Sequence, residues 1–248
     1  MSQYNPMSLE GKTILVTGAS SGIGKAIAIE CSKLGATLIC TGRNEERLQE
    51  TMAMLEGAGH TAVAAELTDA DSRAALVASL PRLDGVAHVA GIGCTKMCAF
   101  LKPELVDAVL AANLQAPVLL QAELLRARKI NKMASIVFMA SVAGVRSTPG
   151  NALYAASKGG LMAYARGLTT ELGPKGIRVN CILPGMVETP MIRHAFDEET
   201  YAADMKNYPL GRYGKPEEVA HLAAFLLSDA SAWITGGNYV IDGGSTRR

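Results

Sequence analysis

Residues 12–17 read KTILVT, a β-branched apolar run, and pass directly into GASSGIG at 18–24 and AIAIECSKLGA at 26–36. A strand, a glycine turn and a helix in that order form the βα unit that sets a pyrophosphate on a helix N-terminus. Gly18 permits the tight turn, Gly22 lets backbone approach the phosphates, and Gly24 lets the helix pack closely. Ser20, Ser21 and Ile23 complete the turn. The spacing is G-x-x-x-G-x-G, not G-x-G-x-x-G. On this segment alone, a plain glycine loop between strand and helix stays open.

The same alternation continues along the chain. Strands are expected near 12–17, 37–41, 61–65, 84–89, 134–140, 177–183 and 238–241. Helices are expected over 22–34, 44–57, 70–80, 103–112, 114–130, 152–173, 190–206 and 216–228. Thr189-Pro190 and Lys215-Pro216-Glu217-Glu218 mark helix starts, while Gly35 and Gly57 mark stops. Apolar strands alternating with helices give a parallel sheet covered on both faces. The expected fold is α/β, a single-domain Rossmann-like doubly wound sheet of about seven parallel strands with helices on both faces. Residues 1–8 are expected to be a loose tail, and 9–248 one domain.

Composition narrows the classes of function. Of 248 residues, 49% are hydrophobic and 19% charged, enough for one sizeable core. A net charge of +1 gives no bulk attraction to nucleic acid. No apolar run approaches a membrane span, so no membrane is expected. Five scattered cysteines fit neither a zinc site nor a disulfide framework, so no metal and a reducing, cytoplasmic setting are expected.

The second informative group is Tyr154 and Lys158, with Ser141 thirteen residues before the tyrosine. On a helix, i and i+4 share a face. An ammonium beside a phenol favours the phenolate, so the proton becomes easier to move. Ser141, at a strand end, can hold the carbonyl oxygen that the phenol protonates. Separately, Ser141 reads equally as a turn cap and the Tyr/Lys pair as a surface pair. Together, and following a nucleotide loop, they read as a site.

TGASSGIG at 17–24, Asn113, Ser141, YAASK at 154–158 and PGMVETP at 184–190 resemble the short-chain dehydrogenases/reductases. The resemblance covers about residues 9–244 and is greatest to the 3-oxoacyl-(acyl-carrier-protein) reductase group. It implies that Tyr154 is the acid, Lys158 lowers its pKa and holds the nicotinamide ribose, and Ser141 orients the carbonyl. Asn113 stands where that family distorts a helix and holds a water near the lysine. Glu66 and Leu67 occupy the adenine positions, with Glu66 replacing the usual Asp. Ala90 and Gly91 keep the small residues beside the cofactor. Pro184, Gly185, Val187 and Thr189 are expected to wrap the nicotinamide, and 190–212 to form a substrate lid. His88 departs from the family's Asn and reads as a buried replacement, since acid–base chemistry has an owner. A homotetramer is implied by the family's habit of pairing through two long central helices.

Arg43 follows the second strand, where NAD-binding proteins offer an acid to the ribose 2′-hydroxyl. A guanidinium there suits the 2′-phosphate of NADP, with Thr41 and Asn44 adding hydrogen bonds, so NADP(H) is favoured over NAD(H). The alternative is a solvated Arg43 with Glu45 or Glu46 on the ribose. Cys94, Met97, Phe100, Val142, Met186, Met191 and Tyr208 are candidate lining of an adaptable apolar pocket. Lys132 and Lys175 match positions that are basic in the acyl-carrier-protein reductases, and Arg126, Arg128 and Lys129 add charge. The run IGCTKMCAF after Gly91 lacks those reductases' Thr-Arg-Asp. The expected reaction is NADPH-dependent reduction of a ketone, a 3-oxoacyl thioester first. A sugar, polyol, steroid or other small ketone is the competitor. A non-catalytic nucleotide-binding regulator is opposed by the intact Ser/Tyr/Lys/Asn set. An epimerase or dehydratase of the longer superfamily branch is opposed by chain length.

Overall fold

The computed structural model describes residues 4–193 and 203–247. Its centre is a parallel sheet of β1 (Thr13–Thr17), β2 (Thr37–Gly42), β3 (Thr61–Ala64), β4 (Leu83–His88), β5 (Ile130–Met139), β6 (Arg178–Pro184) and β7 (Asn238–Ile241). The order is β3-β2-β1-β4-β5-β6-β7. It reverses between β1 and β4, which opens a crevice at the carboxyl ends of those strands.

Helices α1 (Gly22–Lys33), α2 (Glu45–Met52), α3 (Ala70–Ser79), α4 (Pro103–Leu110), α5 (Ala116–Arg126), α6 (Ala152–Leu172), α7 (Pro190–Arg193) and α8 (Pro216–Leu227) cover both faces. Side chains alternate across each strand. Leu15, Ile136 and Phe138 face a core shared with α3, α5 and α6. Ile14, Val16 and Val137 face one shared with α1, α2 and α8. The strands therefore read as unbroken apolar runs.

Three boundaries differ from expectation. Helix α2 stops at Met52, not 57; beyond it the chain turns, Met54 is half exposed, and Gly57 and Gly59 take positive φ. The helix expected over 114–130 ends at Arg126, because Arg128 adopts φ 55 and reverses the chain. β5 then begins at Ile130, paired with Leu83, and passes an irregularity at Met133 (φ 62). The predicted helix 190–206 starts as α7, and 194–202 lie outside the described residues.

Residues 5–8 are tied down, unlike the expected loose tail. The Pro6 carbonyl accepts Ala230 N at 3.1 Å, and Met7 packs against the core. The membrane expectation also needs correction. Pro103–Arg126 is a continuous helical stretch of 24 residues whose most apolar 18-residue window has mean hydropathy 1.4, enough by length and composition to span. Within it, the Asn113 side chain is locked to backbone and Glu123 is ion-paired to Arg73 at 3.2 Å. Those contacts tie one side of the stretch to the rest of the domain, and 33% of its most apolar window is buried.

Candidate active site

The crevice, about 500 Å³, is walled by the glycine turn, the tips of β2–β6 and the helical stretch 108–116. Thr17 stitches its floor: its hydroxyl accepts Val89 N at 2.9 Å and Ala90 N at 3.1 Å. Gly18 follows at φ +68, where an added Cβ would meet Ala90 Cα at 3.0 Å. Only glycine turns the chain here. Ala19 N donates to Thr41 O at 3.1 Å, and Thr51 Oγ1 to Ala19 O at 2.9 Å, so the turn is fixed from both sides. Ser21 precedes α1 without a side-chain cap bond, and Ser20 to Gly24 line the crevice. Amides at an uncapped helix start, aimed into a cleft, fit a pyrophosphate.

Ser141, Tyr154 and Lys158 line the same crevice. Ser141 ends the run after β5 and accepts Ala143 N at 3.1 Å, which is the turn cap its position allowed. Its hydroxyl lies beside the Tyr154 phenol and favours the ionised form of that group. Lys158 lies one turn along α6, 5% exposed, with Nζ 5.8 Å from the Tyr154 ring centroid. Nζ donates to Met139 O at 2.8 Å.

The electrostatics differ from expectation. Burial pushes the Tyr154 phenol above its ordinary 10, and the Ser141 hydroxyl only partly offsets this. Burial also pulls the Lys158 ammonium down to about 8. The lysine Nζ is directed at a carbonyl, and burial outweighs the other influences on the phenol in this arrangement.

Asn113 stands behind this group, fully buried, and does not line the crevice. The expected helix distortion is there as a π-turn, Ala111–Gln115. The side chain clasps Ile92: Oδ1 accepts Ile92 N at 2.8 Å and Nδ2 donates to Ile92 O at 2.9 Å. A Cβ on Gly91 would come within 2.8 Å of Asn113 Oδ1 and 3.5 Å of Lys158 Nζ. The glycine thus brings the β4 loop against both.

At the adenine end, Arg43, Glu66 and Leu67 line the crevice, and Arg43 Nη1 lies 3.6 Å from Glu66 Oε2. Burial raises the Glu66 carboxyl, but the Thr68 amide and hydroxyl and the Arg43 guanidinium hold it below its usual range. Asn44 is not part of this wall. Its Oδ1 caps α2 by accepting Arg47 N at 2.8 Å. Thr41 is wholly buried and also absent from the wall. His88 is the buried replacement expected: it stacks on Phe138 at 4.6 Å, bonds Gln121 at 2.9 Å, and burial holds it near 4.

Pro184, Gly185, Val187 and Thr189 line the opposite wall. That loop is held by Gly214, whose carbonyl accepts Glu188 N at 2.8 Å, and by Tyr208 Oη, which accepts Met186 N at 3.3 Å. Of the residues expected around a substrate, only Met191 lines the crevice. Tyr208 supports the loop, and Met97 and Phe100 are exposed. The basic cluster is not at the mouth. Lys132 lies in the irregular start of β5, before Ser135, which pairs with Gly85 near the amino edge of the sheet. Lys129 Nζ is occupied by the Leu80 carbonyl.

Comparison with known proteins agrees with this geometry. The family model described as Enoyl-(Acyl carrier protein) reductase matches residues 18–246. The 3-oxoacyl-(acyl-carrier-protein) reductase FabG of Rickettsia conorii is 37% identical over 96% of this chain and 98% of its own. The chain belongs to the short-chain dehydrogenase/reductase family. The FabG proteins of Thermotoga maritima and Escherichia coli are 36% and 34% identical, each covering 96% of the chain and 99% and 98% of their own. A solved short-chain dehydrogenase/reductase family protein superposes with TM-score 0.88 at 31% identity, covering 96% of this chain and 99% of its own. As a short-chain dehydrogenase/reductase, the protein is an NAD(P)-dependent oxidoreductase acting on CH–OH groups.

Sequence reasoning missed part of the wall: Ala108, Ala111, Ala112 and Ala116 face the crevice. Their helical spacing was a signal, since small residues on one face admit a close neighbour. Arg73 was also missed. Its Nη1 donates to Leu67 O at 2.9 Å, holding the adenine-side loop.

Proposed function

We propose that this enzyme reduces a ketone to a secondary alcohol with NADPH, a 3-oxoacyl thioester on acyl-carrier protein being the first candidate. The carrying observation is that Tyr154, Ser141 and Lys158 line one crevice, with the Lys158 Nζ 5.8 Å from the Tyr154 ring. The bound dinucleotide supplies hydride. The α1 start and the Gly18–Gly24 turn would hold its pyrophosphate, Glu66 and Leu67 its adenine side, and Arg43 its 2′-phosphate. Ala90, Gly91, Pro184, Gly185, Val187 and Thr189 would enclose its nicotinamide half.

Ser141 and Tyr154 aim two hydroxyls at one carbonyl oxygen, whose negative charge grows during transfer. Tyr154 gives that oxygen its proton. An alkoxide is far more basic than a phenolate, so a phenol left above 10 still protonates it downhill. The reverse reaction, which needs the phenolate, is the one that would gain from acidification. Lys158, buried 5.8 Å from the ring, is the cation available to stabilise that phenolate. Asn113 and the π-turn keep the Ile92 backbone, and with it Gly91, against the lysine.

The 3-oxoacyl assignment rests on relatives named for it at 34–37% identity. The cluster of lysines at the far edge of the sheet favours a second reading, a small free ketone that needs no acidic carrier. NADPH oxidation across acetoacetyl thioesters, sugars and steroids separates them; thioester preference supports the first and indifference to thioesters the second. Tyr154→Phe is expected to lower turnover by about 10²–10⁴-fold while NADPH still binds. Unchanged kcat would remove the tyrosine from the role of acid. Arg43→Ala is expected to weaken NADPH well beyond NADH, and equal loss would overturn the cofactor assignment. The setting is cytoplasmic and the assembly a homotetramer.

A further inference from the structure

We infer that Glu66 is a specificity-determining residue that restrains the preference of this enzyme for a 2′-phosphorylated dinucleotide. The inference rests on the assignment of Arg43 to the 2′-phosphate and adds a residue that opposes it. Glu66 stands at the tip of β3 and Arg43 at the tip of β2, both in the crevice wall. The guanidinium lies 3.6 Å from Glu66 Oε2, an ion pair looser than a direct hydrogen bond. The carboxylate is not free to swing away. Its Oε1 accepts Thr68 N at 3.0 Å and Thr68 Oγ1 at 2.8 Å, a turn of the chain on itself. The turn is fixed in its own right, because Glu66 N donates to Ser72 Oγ at 2.9 Å and Arg73 holds Leu67 O.

The consequence is a fixed negative charge beside the cation that a phosphate dianion must use. A dianion on Arg43 shares the guanidinium with Glu66 and is repelled by it. A ribose 2′-hydroxyl is neutral and meets no such penalty. Arg43 therefore serves the phosphorylated cofactor and Glu66 opposes it. Each sets a limit on the other. Both side chains are partly exposed, 69% for Arg43 and 42% for Glu66, so salt screens the opposition.

The test is calorimetric binding of NADP⁺ and NAD⁺ to the full chain and to Glu66→Gln, at low and at high salt. Glutamine keeps the shape and the Thr68 contacts as acceptor and removes the charge. The expected result is NADP⁺ binding roughly 3–10-fold tighter in the variant, NAD⁺ unchanged or weaker, and the gain shrinking at high salt. Weaker NADP⁺ binding would mean that Glu66 positions Arg43 for the phosphate, and would overturn the inference. Equal tightening of both cofactors, or a gain insensitive to salt, would overturn it too. Arg43→Ala measured alongside keeps the two readings apart. A loss of NADP⁺ selectivity there, with no gain in Glu66→Gln, leaves Arg43 in its role and removes Glu66 from the one inferred. Thermal unfolding of Glu66→Gln confirms that the variant compared is folded.

Discussion

Burial acts on Tyr154 and Lys158 in opposite directions, each time against the charged form. For Lys158 the ammonium titrates at about 8, against an ordinary 10.5. Between those two values the unfolded chain binds more protons than the folded one, so stability rises with pH across that window. Below about 8 both states are protonated and the penalty is full. Lys158→Met removes the buried charge. Its unfolding free energy at neutral pH is expected to exceed that of the parent by up to about 3 kcal/mol. The rise in stability above pH 8 should be absent from the variant, and turnover should be lost. Denaturant unfolding at a series of pH values checks this; a variant less stable at neutral pH would contradict it. The site then holds its lysine for chemistry, at a cost to the fold.

Among the elements, the π-turn at Ala111–Gln115 is the one that function explains best. A regular helix from Pro103 to Arg126 would place Asn113 one register away from Ile92. The extra residue in the turn aims its amide at both backbone groups of Ile92, at 2.8 and 2.9 Å. Asn113→Ala leaves a part-buried N–H and C=O of Ile92 without that partner, at a cost of about 1–3 kcal/mol. It also frees Gly91 from its place against Lys158. We expect a lower melting temperature together with a fall in kcat beyond what partial unfolding accounts for, read on the folded fraction at low temperature. A variant with reduced stability and intact kcat would reduce Asn113 to a structural role. The helix that ends at Arg126 makes a related point. No glycine marks its stop, because Arg128 itself takes the left-handed conformation at φ 55. A sequence reading that looks for glycine runs on to 130.

At the scale of the molecule, β7 is an edge strand with Val240 40% exposed, and Trp233 just before it is wholly exposed. The stretch Pro103–Arg126 is apolar yet only 33% buried over its most hydrophobic window. Apolar faces of this extent are ordinarily covered. Homotetramer formation would cover such faces, and light scattering is expected to give four times the mass of the chain. The single tryptophan offers a second reading, since its emission should be blue-shifted if a partner covers it. A monomer with fully solvated tryptophan emission would reject this assembly.

The sequence by itself determined the fold class and the order of strands and helices, and it singled out the side chains proposed for the site. These are local matters: apolar periodicity, glycine turns and an i, i+4 pair are written in consecutive residues. Only the tertiary structure decided where the Lys158 ammonium points, that Asn44 caps a helix, and that Glu66 stands against Arg43. It also decided that the lysines near 129–132 lie far from the crevice. Each of those depends on neighbours distant in the chain, and on how burial by the whole fold outweighs a single nearby charge.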